Sequence, residues 1–445
     1  MIQLLVSLVV IVVIIHVLLG ACAYLILLER KVAAWTQDRI GPNRTNFSFG
    51  ILFDPDGPKM GGLGQALADG MKLLVKEDYT PPHVNKILFT LAPGMVMVPA
   101  LLGWAVIPWG GLVFVPAGEV LGFSWPAQVV SVSVLPISIG VIYILAIGSL
   151  AVYGVAIGSY ASNNKYSFFG GLRAVAQMLS YEIPLGVVVL ICILAYGTAS
   201  TEGMALMQSG PAGMTWGILL NPLLAVIFFT AALAEANRAP FDLAEAEQEL
   251  VGGFHTEYGS MRWALFFLGE YMHMITSCAF FCVLFLGGWQ IVPFIEILPA
   301  VATGWFFEGT DWAWLGSLLL VLVKFGVFAG KVAFLLFVMM WVRWSLPRFR
   351  YDQLMGLAWR GLIPMCIAML VGATLIEGMG AGAWAYTVLN VVVLIGAVSL
   401  APLLPKAHTN RKVGLLGSRF SPPADEHGGE MPNPIASTPS APASA

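Results

Sequence analysis

Residues 235–258 read EANRAPFDLAEAEQELVGGFHTEY and hold six carboxylates, Glu235, Asp242, Glu245, Glu247, Glu249 and Glu257, against one cation, Arg238. Only 11% of the chain is charged, so six of its 25 acids are concentrated in this one stretch. Carboxylates crowded beside apolar side chains raise one another's proton affinity and titrate as a coupled set, which suits the storage and transfer of protons. A charge run is more often a solvated face. Here the acids alternate with Phe241, Leu243, Leu250, Val251 and Phe254 between two long apolar runs, which favours a partly buried, hydrated cluster.

Two further ionisable residues sit inside apolar runs. Glu270 follows Arg262 by eight residues, roughly 12 Å along a helix. Lys331 precedes Arg343 by twelve residues, roughly 18 Å. Placing such a group at membrane depth costs about 2.5–3.5 kcal/mol, so both are functional candidates. Lys331 is expected as the counter-charge to an acid such as Glu270; the structural alternative is a buried pair that only locks two helices. His273 and His16 read as hydrogen-bonded packing residues rather than metal ligands. Segment 170–182 places Arg173, Gln177 and Ser180 or Tyr181 on one helical stripe before Glu182, and segment 343–355 brings Arg343, Arg348, Arg350 and Asp352 around Pro347. The five cysteines all lie in apolar runs without metal or disulfide spacing, which points to packing. No Cys pattern suits an iron–sulfur cluster and no glycine-rich turn suits a dinucleotide. Electrons for any redox role must come from a partner.

The elements that position these groups follow from hydropathy. The chain is 58% hydrophobic with a mean hydropathy of +0.83, far above a soluble domain. Uncharged apolar runs of spanning length fall near 2–28, 87–108, 128–157, 183–197, 217–236, 263–287, 316–342, 362–377 and 383–404. The fold class expected is all-α, a polytopic membrane bundle of eight or nine transmembrane helices. Twenty of the 22 Lys and Arg residues lie in alternate loops, which places those loops in the cytoplasm and the N-terminus on the periplasmic side. Segment 63–78 reads as an interfacial amphipathic helix, with Leu67, Met71, Leu74 and Val75 on one face and Asp69, Lys72 and Lys76 on another. Pro240 is placed to open a helix that Gly252-Gly253 would end, with Asp242, Glu245 and Glu249 on one face. Residues 1–405 form the membrane domain, and 406–445 a Pro/Ser/Ala-rich disordered cytoplasmic tail.

Seven motifs occur in order at matching loops: ERK at 29–31, QDRIGPNR at 37–44, ADGMKLLVKE at 68–77, LRAVAQMLSYE at 172–182, EANRAPFDLAEAEQELVGGF at 235–254, FFLGEY at 266–271 and RFRYDQLM at 348–355. Over about residues 1–375 the chain closely resembles the H-type, quinone-site membrane subunits of respiratory complex I, the proton-pumping NADH:quinone oxidoreductase. The resemblance implies a subunit that is not catalytic alone, with quinone as the bound substrate and no flavin, iron–sulfur cluster or metal of its own. It implies partners: a peripheral arm carrying flavin and iron–sulfur clusters, small membrane subunits, antiporter-like pumping subunits and lipid, in a bacterial inner membrane, with no nucleic acid. Carried over by position, Arg30, Asp69, Phe267 and helix 63–78 flank the quinone entrance, with Arg343 and Arg348 as boundary arginines near the chamber. Glu182, Glu235, Asp242, Glu245, Glu247, Glu249 and Glu270 match the family's proton-linked carboxylates. The chain departs from the family in a longer stretch at 50–62, in its ninth span and in its tail. The rival readings are the homologous component of a membrane-bound hydrogenase and a stand-alone ion transporter. The latter predicts ion flux from the purified chain alone.

Overall fold

A chain segment in lipid must satisfy its own backbone hydrogen bonds, so long apolar runs are helices. The computed structural model describes residues 2–43, 45, 61–115, 117–120, 123–208, 215–244, 250–293, 301–302 and 313–400. In chain order its helices are α1 (Ile2–Thr36), α2 (Gln65–Val75), α3 (Lys86–Leu102), α4 (Gly140–Ala161), α5 (Lys165–Tyr196), α6 (Thr201–Met207), α7 (Gly217–Leu220) and α8 (Pro222–Glu235). There follow α9 (Ser260–Phe285), α10 (Ala313–Ser345), α11 (Tyr351–Gly356), α12 (Ile363–Met379) and α13 (Trp384–Leu400), with a π-helical stretch, Leu357–Leu362, joining α11 to α12. Among the described residues seven helices are long and apolar enough to cross a membrane, and Pro222–Glu235 and Trp384–Ser399 are shorter apolar helices. Residues Met1–Ala397 form one unit. The segment 406–445 expected as a tail lies outside the described residues.

Local sequence sets the helix ends. Asn164 caps α5 by accepting the Tyr166 N–H at 2.9 Å, and Gly197 closes it in the left-handed region at φ +65°. The fourth expected span therefore begins well before 183: the polar stripe at 165–182 and the apolar half are one helix. The third expected span begins later than 128, because Gln128–Ser131 is a strand (β4) and α4 starts only at Gly140. Valines alternating with serines over 129–134, followed by Pro136, suit a strand rather than a helix. Strand β4 pairs antiparallel with β1 (Leu112–Val115), and β1 pairs in parallel with β5 (Val301–Ala302). Between them β2 (Gly118–Val120) and β3 (Phe123–Trp125) form a second small antiparallel pair. These strands are an addition to the expected all-α fold.

The core lies where α5, α8 and α9 meet, around Phe228, Phe280, Phe281 and Phe285, whose rings pack 5.0–5.9 Å apart. Helix packing elsewhere depends on missing side chains. Val96 of α3 sits between Gly154 of α4 and Gly269 of α9, where a Cβ would come within 2.5 and 2.7 Å of its methyl groups. Gly170 of α5 packs on the backbone of Gly253, 2.7 Å from where its Cβ would stand. Helix α2 shows the expected amphipathic pattern: Leu67, Met71, Leu74 and Val75 are all exposed, while Asp69 reaches Arg30 of α1 at 2.8 Å.

Candidate functional site

The carboxylate that anchors the site is Glu29, buried near the end of α1 beside the motif's Arg30 and Lys31. Three residues from distant parts of the chain converge on it. The Tyr271 hydroxyl of α9 and the Arg343 guanidinium at the end of α10 donate to its two oxygens, and Arg238 stands 3.5 Å away. Arg238, buried in the loop after α8, also lies 3.7 Å from Glu270 and rests 4.2 Å over the Tyr271 ring. Arg343, Glu29, Arg238 and Glu270 thus form one alternating line of charge. Such alternation keeps each buried ion beside an opposite one, without which burial would be prohibitive.

At one end of this line is a cavity of about 620 Å³. It is walled by Ile26, Ala33, Trp263, Phe267 and Tyr271 and edged by Glu29, Arg30, Asp69, Lys72 and Arg343. Mixed apolar walls with a few convergent polar groups are the usual form of a small-molecule site. Past Glu270, the His273 imidazole of α9 lies 3.4 Å from Glu235 at the end of α8. Glu235, Glu270 and His273 share a cavity of about 30 Å³, and Glu235 and His273 share a second of the same size. Each is large enough for a water molecule between polar groups. Glu182 of α5 is near enough to Glu235 for their charges to interact.

Four of the five residues expected at the chamber, Arg30, Asp69, Phe267 and Arg343, therefore line one cavity. Arg348 does not; its guanidinium pairs with the buried Asp242 at 3.1 Å. Of the expected proton-linked acids, Glu235, Glu270 and Glu182 gather in one region, and Glu245, Glu247 and Glu249 lie outside the described residues. The pairing of Lys331 with Glu270 is overturned. The Lys331 ammonium donates to the carbonyls of Leu286 at 2.6 Å, Gly288 at 3.0 Å and Gln290, and sits 4.2 Å over the Trp216 ring. Those carbonyls follow the end of α9, whereas Glu270 is sixteen residues earlier, roughly 24 Å along the helix axis. Helix α10 runs back along α9, so Arg343 and not Lys331 reaches the acids. On the same helix Lys324 is buried; it donates to the Leu112 carbonyl at 3.3 Å. Burial raises the Glu202 carboxyl of α6 above its ordinary range, partly offset by the Ser131 hydroxyl and the charge of Lys324.

The helix expected to open at Pro240 is not formed over 240–244, which is a run of turns. Its backbone carbonyls are engaged by tertiary partners instead of by helical N–H groups. Buried Gln177 of α5 donates to the carbonyls of Ala234 and Phe241, both at 2.8 Å, and to the Asn237 side chain at 3.2 Å. The Phe349 N–H donates to the Pro240 carbonyl at 3.1 Å, and the Phe241 and Phe349 rings stack at 5.5 Å. Tyr181, also from the 170–182 stripe, donates to the Leu354 carbonyl at 3.0 Å. The stripe's role is thus to clamp the acidic loop against 348–354. Gln177→Leu is expected to remove three buried hydrogen bonds worth about 0.5–1.5 kcal/mol each, while the Ala234 and Phe241 carbonyls keep the N–H groups of Asn237 and Leu243. A lowered melting transition of the purified protein checks this, with Gln177→Glu lowered at least as much because its carboxylate has no N–H to donate to these oxygens.

Sequence reasoning passed over Glu29, Arg238 and Tyr271 as site residues, and read as packing His273, which stands against Glu235. Each of the first three carried a signal: Glu29 is the one acid of α1 and opens the ERK motif, Arg238 is the sole cation of the acidic loop, and Tyr271 ends the FFLGEY motif. His16 bonds the Val12 carbonyl of its own helix at 2.7 Å, as expected, but its side chain is exposed rather than packed. All five cysteines are buried and free.

Membrane-length helices around a cavity that adjoins a buried, alternating line of charge define a polytopic membrane protein. The chain belongs to the NADH dehydrogenase family, whose profile matches residues 8–374. It is similar to the H-type chain of the NADH-quinone oxidoreductase of Bdellovibrio bacteriovorus, 39% identical over 370 residues that cover 80% of this chain and 92% of that one. The corresponding chain of Leptospira biflexa is 42% identical over 361 residues, covering 81% and 91%. An H-type chain of the NADH-quinone oxidoreductase of Koribacter versatilis is 40% identical over 375 residues, covering 83% and 96%.

Proposed function

We propose that this chain serves as the H-type membrane subunit of a proton-translocating NADH:quinone oxidoreductase in a bacterial inner membrane. Its cavity forms part of the quinone chamber, and Glu29, Arg238, Glu270, His273 and Glu235 carry the charge change onward. The observation that supports this best is the continuous line from cavity to acids: Glu29 faces the cavity, and Arg238 touches both Glu29 and Glu270. The apolar walls suit a lipophilic quinone, and Arg343, with N–H groups beyond the one given to Glu29, supplies donors at the cavity's edge. Quinone reduction takes up protons and alters the charge beside Glu29. Because Arg238 is shared, a change in the charge of Glu29 shifts its balance toward or away from Glu270, and so the proton affinity of the acids beyond. Electrons reach the quinone from a peripheral arm carrying flavin and iron–sulfur clusters, and protons pass toward antiporter-like subunits. Asp242, fixed by Arg348, holds the acidic loop against the 348–354 segment.

The experiment is to make Glu235→Gln and Glu270→Gln and reconstitute each complex in vesicles. NADH-driven quinone reduction and proton uptake are then measured together. A fall of more than half in protons moved per electron, with assembly intact, is the expected result. Wild-type ratios in both variants would remove these acids from the path.

A further inference from the structure

Helix α1 separates two unlike cavities. Glu29 and Arg30 face the polar one; Lys31, about 100° further round the helix, faces a groove between α1 and α10. That groove has a volume of about 560 Å³ and apolar walls that include Val17, Leu25, Leu28, Phe325, Val332 and Leu336. Lys31 is the only charged side chain that lines it among the described residues. Arg30 is paired with Asp69, whereas Lys31 has no ion-pair partner among the described residues. Its ammonium lies beside the turn at Gly61, 3.2 Å from where a Cβ would stand.

The groove's shape selects its occupant. From Val17 to Lys31 it runs roughly 20 Å along α1 as an elongated apolar slot. Its length and apolar walls suit one extended hydrocarbon chain. An apolar slot with a cation at the charged-loop end that has no ion-pair partner among the described residues complements an amphiphile with one chain in the slot and an anionic head beside the cation.

We propose that this groove holds one acyl chain of an anionic phospholipid, with its phosphate on Lys31. The proposal is independent of the quinone reading. It assigns the two adjacent cations of the ERK motif to different ligands, Arg30 to the polar cavity and Lys31 to lipid.

The test uses the protein purified through a tag on this chain, with the subunits that accompany it. Bound lipid is counted by native mass spectrometry after exchange into vesicle-derived nanodiscs of phosphatidylcholine containing a minor fraction of phosphatidylglycerol. Wild type and Lys31→Arg are expected to retain one phosphatidylglycerol through detergent release. Lys31→Glu should lower that occupancy at least tenfold, and Ala333→Trp, which fills the groove from an exposed position, should remove it as well. Unchanged occupancy in Lys31→Glu overturns the phosphate assignment, and unchanged occupancy in Ala333→Trp overturns the groove. A photocrosslinker at Ala329 that captures a helix of another protein chain in place of lipid overturns the proposal outright.

Discussion

Glu29→Gln is expected to reduce NADH-driven quinone reduction at least tenfold while the protein still assembles. The substitution preserves shape and removes one negative charge from between Arg343 and Arg238. Both guanidiniums are then left in a confined space without their shared partner, and stranding a buried charge costs about 3–5 kcal/mol. One tenth of the rate corresponds to only about 1.4 kcal/mol, so a tenfold loss is the lower bound. Arg238 is expected to turn toward Glu270, which cuts the line between cavity and acids. Reduction of an artificial acceptor by the peripheral arm should be unaffected, which separates this result from failed assembly. Glu29→Asp should recover part of the activity. Wild-type quinone reduction in Glu29→Gln would falsify the central role given to this carboxylate.

The largest expected effect on stability is at Gly154. An alanine Cβ there would lie 2.5 Å from a Val96 methyl, 2.8 Å from the Val96 nitrogen and 3.0 Å from the Met95 carbonyl carbon. A methyl group can rotate away, but the backbone contacts yield only if α3 and α4 separate. Overpacking of this kind costs about 1–3 kcal/mol. Val96 also faces Gly269 of α9, so the displacement passes to the helix bearing Glu270, Tyr271 and His273. Gly154→Ala should therefore lower both the yield of assembled protein and its melting transition. Gly186→Ala, on α5 with nothing within 4 Å of the added Cβ, should leave both unchanged. Equal behaviour of the two variants would show that close helix approach at Val96 is not limiting.

Much of this protein is legible in its sequence, and the reason is hydropathy. Runs of apolar residues must become helices in lipid, so the expected spans correspond to helices among the described residues. Adjustments fall where a strand or a polar helical half adjoins the apolar run, as at Gln128–Ser131 and Lys165–Glu182. Arg30, Asp69 and Phe267 were legible because they lie inside motifs that occur in order along the chain, and Arg343 because it ends an apolar run at a charged boundary. The amphipathic α2 was legible because its 3.6-residue period is a local property.

What the sequence alone determined is therefore the membrane class, the family and the set of ionisable residues available for work. Which of those residues meet is a tertiary matter. Glu29, Arg238, Tyr271 and Arg343 lie in four separate segments, and only the antiparallel run of α10 along α9 brings Arg343 to Glu29 and carries Lys331 to the far end. The turns at 240–244 likewise depend on Gln177 and Phe349, partners too distant in sequence for helix-start signals to register. Local rules see a residue's neighbours within a turn or two. A buried charge is decided by whatever opposite charge the packing places against it, because isolation at low dielectric costs more than any local preference contributes.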